Sequence, residues 1–341
     1  MRGITRNIGT PGLKEYKDPD FKVKRILICR PNHRLGNLLL ITPLIQEVTE
    51  TFPDAKIDLF IKGGLGPIVF KNYENINRII SLPKKHFNEF FKYVKGWVSL
   101  KRQSYDIVVN VVKNSSSGRL SAQFSNSTFK FFGVEEAEKI IDFPDYSHIA
   151  KYPVYDFRGY VSKWGYKIPG KPVPALDIKL SGEELTAGKN LLQQIVKNDK
   201  QTICLFTYAT GAKCYSESWW ENFYSLLQKR FGEYNFIEVL PVENISQLSF
   251  KIPTFYSRDI REIGSVISQT AIFIGADSGI MHLASSVKTS TLGLFSGTSP
   301  SKYGPYSGKN LSVKTRGITM EEILDHIEKI LSTREVSKPK N

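Results

Sequence analysis

Cysteine and methionine are scarce, three of each in 341 residues, and histidine and tryptophan hardly less so at five and four. Cys29, Cys204 and Cys214 lie far apart, show no paired metal-ligand spacing and form an odd set. This excludes a disulfide scaffold or a zinc-ribbon module and fits a reducing compartment. Long apolar runs are missing too. No stretch reaches the roughly 18 apolar residues that span a bilayer, and the opening MRGITRNIGTPGLKEYK lacks the apolar centre of a secretory signal. A cytoplasmic protein is expected. Acidic residues are the third shortage, 33 against 47 Lys and Arg, a formal charge of +14. That excess points to anionic partners, either a phosphate-rich substrate or an anionic membrane surface touched peripherally. Nucleic acid is not an expected partner, because zinc-finger spacing, RNP-type aromatics and a basic zipper region are all missing.

Apolar residues make up 41% of the chain, enough for a core in each of about two domains. Residues 1–20 are polar and basic, punctuated by Gly9, Pro11, Gly12 and Pro19, and read as an arm beside the fold. Residues 24–30 (KRILICR) then read as a buried strand, 31–37 as a polar loop, 38–52 as a helix and 55–61 as a second strand, which makes a βαβ unit. β-Branched runs at 76–81 and 106–112 add strands to an N-terminal domain over 21–172. PGKPVP (169–174) is an aperiodic join. The pattern restarts in a C-terminal domain over 173–341, with helices expected at 181–196, 219–230, 259–269 and 280–287. Strands are expected there at 202–207, 236–240, 271–275 and 291–295. Alternating strands and helices in both halves predict an α/β fold of two facing Rossmann-like domains, with ligands at the C-terminal ends of the strands in the cleft between them.

One turn carries chemistry on its own residues. Strand 271–275 runs through Ala276 into Asp277-Ser278-Gly279 and then a helix, so the amides of Ser278, Gly279 and Ile280 stand at a helix N-terminus. Unsatisfied N–H groups and the positive end of the helix dipole make such a terminus an anion site, and Gly279 allows a phosphate close approach. An Asp or Ser that merely caps the helix is the commoner arrangement for the turn in isolation.

The turn belongs to DSGIMHLASSVKTSTLGLFSGTSPSKYGPY, which resembles the nucleotide-binding segment of glycosyltransferase family 9, the ADP-heptose lipopolysaccharide heptosyltransferases. Asp277, Ser278, Gly279, His282, Leu283, Phe295, Thr298, Gly304 and Pro305 match, with Ser296-Gly297 where Gly-Pro is usual. The resemblance implies that the Asp-Ser-Gly turn receives the donor diphosphate and that His282 and Thr298 belong to the donor site. His282 reads equally as a core or capping histidine. The first domain also resembles the family, through Arg34-Leu35-Gly36-Asn37, Pro43 and Phe52-Pro53-Asp54-Ala55. Where the family has an aspartate taken as general base, this chain has Asn37, and an amide accepts no proton near neutral pH. His33, an imidazole titrating near about 6.5, is the substitute in the same loop, unless it is an exposed loop residue or binds acceptor phosphate. Arg30, Arg34 and Gly36 are the expected acceptor contacts.

The resemblance further implies a basic residue shortly before a Trp, but Glu217 stands two before Trp219 and Lys213 is the nearest replacement. Glu243 falls where the family binds the nucleotide ribose. Together these imply a GT-B glycosyltransferase, inverting and metal-independent, with no cofactor beyond its substrate. The donor is a nucleotide sugar, ADP-heptose by resemblance, and the acceptor a lipopolysaccharide or other lipid-linked glycan. Alternatives are a same-fold transferase with another sugar in capsule or O-antigen assembly, and a nucleotide-sugar-binding protein impaired by Asn37. A nicotinamide-dependent dehydrogenase is disfavoured because PNHRLGN lacks the glycine spacing of a dinucleotide loop. Lastly, residues 87–97 (FNEFFKYVKGW), flanked by Lys84, Lys85, Lys101 and Arg102, read either as a membrane-interface segment or as an ordinary amphipathic helix.

Overall fold

The computed structural model describes residues 22–84, 89–133, 143–166 and 170–335. The arm expected at 1–20, Lys85, residues 87–88 and Pro169 lie outside the described residues. The chain divides into two compact units, Met1–Pro174 and Ala175–Asn341.

The first unit runs β1 (Arg25–Arg30), α1 (Leu35–Leu39), α2 (Thr42–Thr51), β2 (Lys56–Lys62), α3 (Gly66–Val69), β3 (Ile76–Leu82) and α4 (Phe90–Arg102), then β4 (Ser104–Asn110), α5 (Ser116–Phe124), β5 (Asn126–Phe131) and α6 (Tyr152–Ser162). Its strands pair in parallel in the order β3-β2-β1-β4-β5. Central β1 reads as an uninterrupted apolar run because helices cover both faces of a parallel sheet, and Ile26, Leu27, Ile28 and Cys29 have no exposed surface. Burial pushes the Cys29 thiol up to about 12, so it stays protonated and acts as a small apolar residue.

The single helix expected over 38–52 is two helices. Pro43 has no N–H to offer the carbonyl of Leu39, and the Thr42 hydroxyl donates to that oxygen instead, at 2.7 Å. The break falls at Leu40 and Ile41, and Pro43 sits in the first turn of α2, where its missing donor costs nothing. Helix α5, strand β5 and helix α6 were not foreseen. The serine-rich SSGRLSAQF of α5 has little apolar period, and its start is set by Ser115, whose hydroxyl accepts from the Gly118 amide at 3.2 Å.

The second unit runs α7 (Gly182–Val196), β6 (Thr202–Phe206), α8 (Glu217–Arg230), β7 (Asn235–Val239), β8 (Thr254–Phe255) and α9 (Ile260–Ile267), then β9 (Ile272–Ala276), α10 (Gly279–Ser286), β10 (Thr291–Phe295), α11 (Pro300–Tyr303), β11 (Leu311–Lys314) and α12 (Met320–Glu335). Its strands are again parallel, ordered β11-β10-β9-β6-β7-β8. Helix α8 starts before the expected Trp219, because the Ser216 hydroxyl accepts from the Trp219 amide and Glu217 sits in the first turn, at the positive end of the dipole. Trp220, Phe223 and Leu227 of α8 are wholly buried against the sheet.

One buried ion pair joins distant parts of the first unit. Arg158 of α6 donates from Nε and Nη2 to the two carboxylate oxygens of Glu47 on α2, both at 2.8 Å. The side chains are only 6% and 2% exposed. A third donor, Nη1, reaches the Lys171 carbonyl at 2.9 Å and ties the join to the domain. Removing one partner strands the other charge in a dry site, so Arg158→Met should cost about 3–5 kcal/mol of the unit's stability. The Arg158→Met/Glu47→Leu double variant should recover much of it. Denaturant titration of the three proteins checks both expectations.

Candidate functional site

In an open parallel sheet, ligands bind where the strand order reverses, beyond the carboxyl ends of the strands. The second unit reverses between β6 and β9, from which the chain runs outward to opposite edges. Beyond β9 stands Asp277-Ser278-Gly279. Beyond β6 the chain makes a tight 3-10 turn, Gly211–Lys213, with Gly211 at φ +65°. The two ends meet through side chains. Lys213 Nζ lies 3.1 Å from Asp277 Oδ2, and the Thr298 hydroxyl donates to the same oxygen at 2.7 Å. The Asp277 side chain is 9% exposed and that of Lys213 31%. The carboxylate thus holds an ammonium and a hydroxyl at the mouth of the helix, with part of the ammonium open to solvent.

Ser278 caps α10, its hydroxyl accepting from the Met281 amide at 3.2 Å. The capping role and the anion-site role share one turn, since the cap consumes one first-turn donor and the amides of Gly279 and Ile280 remain without an acceptor inside the helix. His282 is buried, 4% exposed, on the face of α10 turned to the protein. Past β10, α11 leads to Gly304, where a Cβ would meet Ser312 Oγ at 2.2 Å and the Pro300 carbonyl at 2.6 Å. Glycine is therefore needed for the return of this loop onto β11.

Glu243 stands exposed beyond β7, with Asn244 at φ +55° beside it. The buried carboxylate of this region is one that sequence reasoning missed, Glu238. It has no exposed surface and accepts from the hydroxyls of Thr207 (2.5 Å) and Ser246 (2.6 Å). Burial, the larger influence, raises its pKa against those two hydrogen bonds. Thr207 also accepts from the Gln247 amide, and Ser246 from those of Leu248 and Phe250. Glu238 therefore positions the loop that carries Glu243. Its place in the strand run NFIEV, apolar on either side, was the available signal.

In the first unit the order reverses between β1 and β4, and β1 ends on Arg30. Arg30 Nη2 donates to Asn37 Oδ1 at 2.7 Å, and Asn37 Nδ2 donates to Asn32 Oδ1 at 3.1 Å. Asn32 Oδ1 also accepts from the Arg34 amide at 2.9 Å. The loop thus carries an amide-guanidinium chain of hydrogen bonds in which residue 37 brings no charge to offset Arg30. Gly36 is buried in α1, while His33 and Arg34 are exposed. Gly63, at φ +78°, follows β2, and a Cβ there would lie 3.0 Å from His33 Cβ and 3.2 Å from Lys84 Cε. His33 is accordingly ringed by cations. Desolvation first, then Lys84, Lys62 and Arg34, hold its pKa below the ordinary imidazole value. Lys62 and Lys84 are site neighbours that sequence reasoning did not assign, since only the sheet brings them beside His33.

Residues 257–323 match the family model described as glycosyltransferase family 9 (heptosyltransferase). A stretch of 80 residues is 35% identical to lipopolysaccharide heptosyltransferase 3 of Escherichia coli (strain K12), covering 22% of this chain and 23% of that protein. The matched stretch thus spans about a quarter of the relative's length. Among solved structures, the glycosyl transferase family 9 protein of Veillonella parvula DSM 2008 is similar at a TM-score of 0.70 and 15% identity, over 92% of this chain and 98% of that one. The E. coli ADP-heptose lipopolysaccharide heptosyltransferase II follows at 0.64 and 16% identity, over 92% and 99%. E. coli heptosyltransferase WaaC with ADP follows at 0.63 and 14% identity, over 90% and 99%. The class is a GT-B fold of two parallel-sheet α/β units. Within that class, the resemblance to glycosyltransferase family 9 holds, in fold along the chain and in signature over 257–323.

A test follows for the His33 environment. Desolvation first, and then the cations, disfavour the imidazolium, so the imidazole should titrate below the ordinary value of about 6.5. NMR titration of the ring should give that midpoint, and Lys84→Ala should raise it. A midpoint unmoved by Lys84→Ala would show that the lysine is not felt there.

Proposed function

We propose that the protein is a glycosyltransferase that moves a heptose or a related sugar from a nucleoside-diphosphate donor to a lipopolysaccharide or other cell-surface glycan acceptor. The observation that carries this reading is the convergence of Lys213 and Thr298 on Asp277 at the start of α10, at the strand-order reversal of the second unit. The determination of WaaC, of similar fold, with ADP supports a nucleoside-diphosphate ligand. The relatives' names support a heptose.

In this reading the donor diphosphate lies against the Ser278 and Gly279 end of α10, with Lys213 as counter-charge and Thr298 beside it. Glu243 accepts from the ribose hydroxyls. Arg30, Arg34 and Gly36 line the acceptor side. The acceptor hydroxyl oxygen attacks the anomeric carbon from the face opposite the diphosphate, and the C–O bond to phosphate breaks with its electron pair leaving on the diphosphate. The configuration inverts. Negative charge growing on the leaving group is met by N–H groups and an ammonium already in place, so no metal and no further cofactor enter. His33, neutral at pH 7, takes the acceptor proton. The site works in the cytoplasm, with peripheral contact to the anionic membrane that carries a lipid-linked acceptor.

Asn37 favours a second reading, a protein that holds a nucleotide sugar without turning it over, because its amide oxygen is already engaged by Arg30 and accepts no proton. Thermal melts against ADP-heptose and a panel of nucleotide sugars address the donor. A true donor at about 100 times its Kd should add about 2.7 kcal/mol, and stabilisation by none of them would sink the proposal. Lys213→Ala should weaken the stabilising donor at least about tenfold, the scale of one charged hydrogen bond. His33→Ala should abolish transfer while leaving the melt shift intact. Full transfer by that variant would remove His33 from the mechanism, and binding without turnover across acceptors would favour the second reading.

A further inference from the structure

Helix α4 buries less of its apolar surface than it has. At about 100° per residue, Gly96, Leu100, Tyr93 and Trp97 form the side turned to the sheet. Gly96 and Leu100 are buried, and a Cβ on Gly96 would meet Leu82 of β3 at 2.7 Å. The next arc of about 100° holds Phe90, Val94, Val98 and Phe91, which are 59%, 39%, 39% and 87% exposed, with the exposed Lys101 between Phe90 and Val94. Beyond it come Arg102, Lys95 and Lys92, all exposed. Around the helix, a sheet-facing side is followed by a bare apolar side and then a basic edge.

The bare side continues onto α5. Phe124 is 41% exposed, with the Trp97 ring edge-on at 5.9 Å and Lys101 Nζ 4.8 Å above its face. No acidic residue occurs within α4, and Glu89 just before it pairs with Lys92. Large bare rings grouped in this way mark an interaction surface. The lysine-rich edge selects among occupants. Lysine is depleted in protein–protein interfaces, whereas an apolar stripe edged by cations suits the boundary between acyl chains and anionic headgroups. There the rings enter the acyl region and the long side chains reach back to phosphate.

We propose that the α4 face, continued by Phe124 of α5, docks the protein in the plane of an anionic lipid bilayer, with Phe90 and Phe91 inserted and Lys92, Lys95 and Arg102 on the headgroup phosphates. This deepens the membrane contact in the transferase reading by naming its surface. It stands on the helix itself and does not require donor or acceptor.

The full chain should be sedimented with vesicles of phosphatidylcholine alone and of phosphatidylcholine mixed with phosphatidylglycerol. Binding to the anionic vesicles only, and release by added salt, is expected. Phe90→Ser/Phe91→Ser should lower partitioning at least about tenfold, and each of Lys92→Ser and Lys95→Ser roughly fivefold. All these side chains are exposed, so melts like that of the parent are expected. A Phe91→Trp chain supplies a second readout, a blue shift of its added indole emission on anionic vesicles and quenching by brominated lipid. Wild-type partitioning by the Phe90→Ser/Phe91→Ser variant, equal binding to both vesicle types, or an unshifted emission from the Phe91→Trp chain would overturn the proposal. So would a dimer of the parent chain that the same double variant dissolves, which would give the face to a second copy. Donor-induced stabilisation is scored separately, so vesicle binding without it would fail the transferase reading alone.

Discussion

The parallel pairing of β6 with β9, from Ile203 beside Ile272 to Phe206 beside Gly275, brings residues 64 positions apart to a single point. The meeting of Lys213 with Asp277 hangs from that register. Gly275 makes the close pairing available, since a Cβ there would sit 3.1 Å from the Phe206 carbonyl and 3.0 Å from the Phe273 ring. With the strands so fixed, one leads to Lys213 and the other to Asp277, and the carboxylate converts a strand register into a salt bridge. Helix α10 then starts where the turn leaves it, capped by the Ser278 hydroxyl. A ligand phosphate would meet a helix terminus and a cation at fixed spacing, which reduces the reorganisation needed when charge develops.

The excess of basic residues divides into groups with different environments. Arg158 and Arg261 are spent inside the fold, the first on Glu47 and the second on Glu184. Lys213 is held by Asp277 at a strand end. Lys62, Lys84 and Arg34 crowd one imidazole, and Lys92, Lys95 and Arg102 edge a bare apolar helix face. A formal charge of +14 is therefore not one field. Carboxylates offset part of it where burial requires.

The alternation of strands and helices was legible because both sheets are covered on two faces. Their central strands, RILICR and TICLF, had to be continuous apolar runs. Short edge elements were less legible. β8 is two residues long, and α5 is a serine-rich helix whose start depends on one hydroxyl. The Asp277 turn was readable as a helix terminus and as part of a motif, since its parts are neighbours in the chain. Glu238 was not readable as an anchor, because its partners Thr207 and Ser246 come to it through the pairing of β6 with β7 and the return of a loop.

The sequence by itself determined the two α/β halves, the anion-ready terminus at Ser278 and Gly279, and the substitution of an amide at position 37. Each of these is local, fixed by residue type and by spacing within one element. Tertiary structure alone decided that Lys213 belongs to Asp277, that Lys62 and Lys84 stand beside His33, and that Phe91 remains bare on its helix. Those relations join residues from different strands and helices, and only strand register and helix packing set the distances between them.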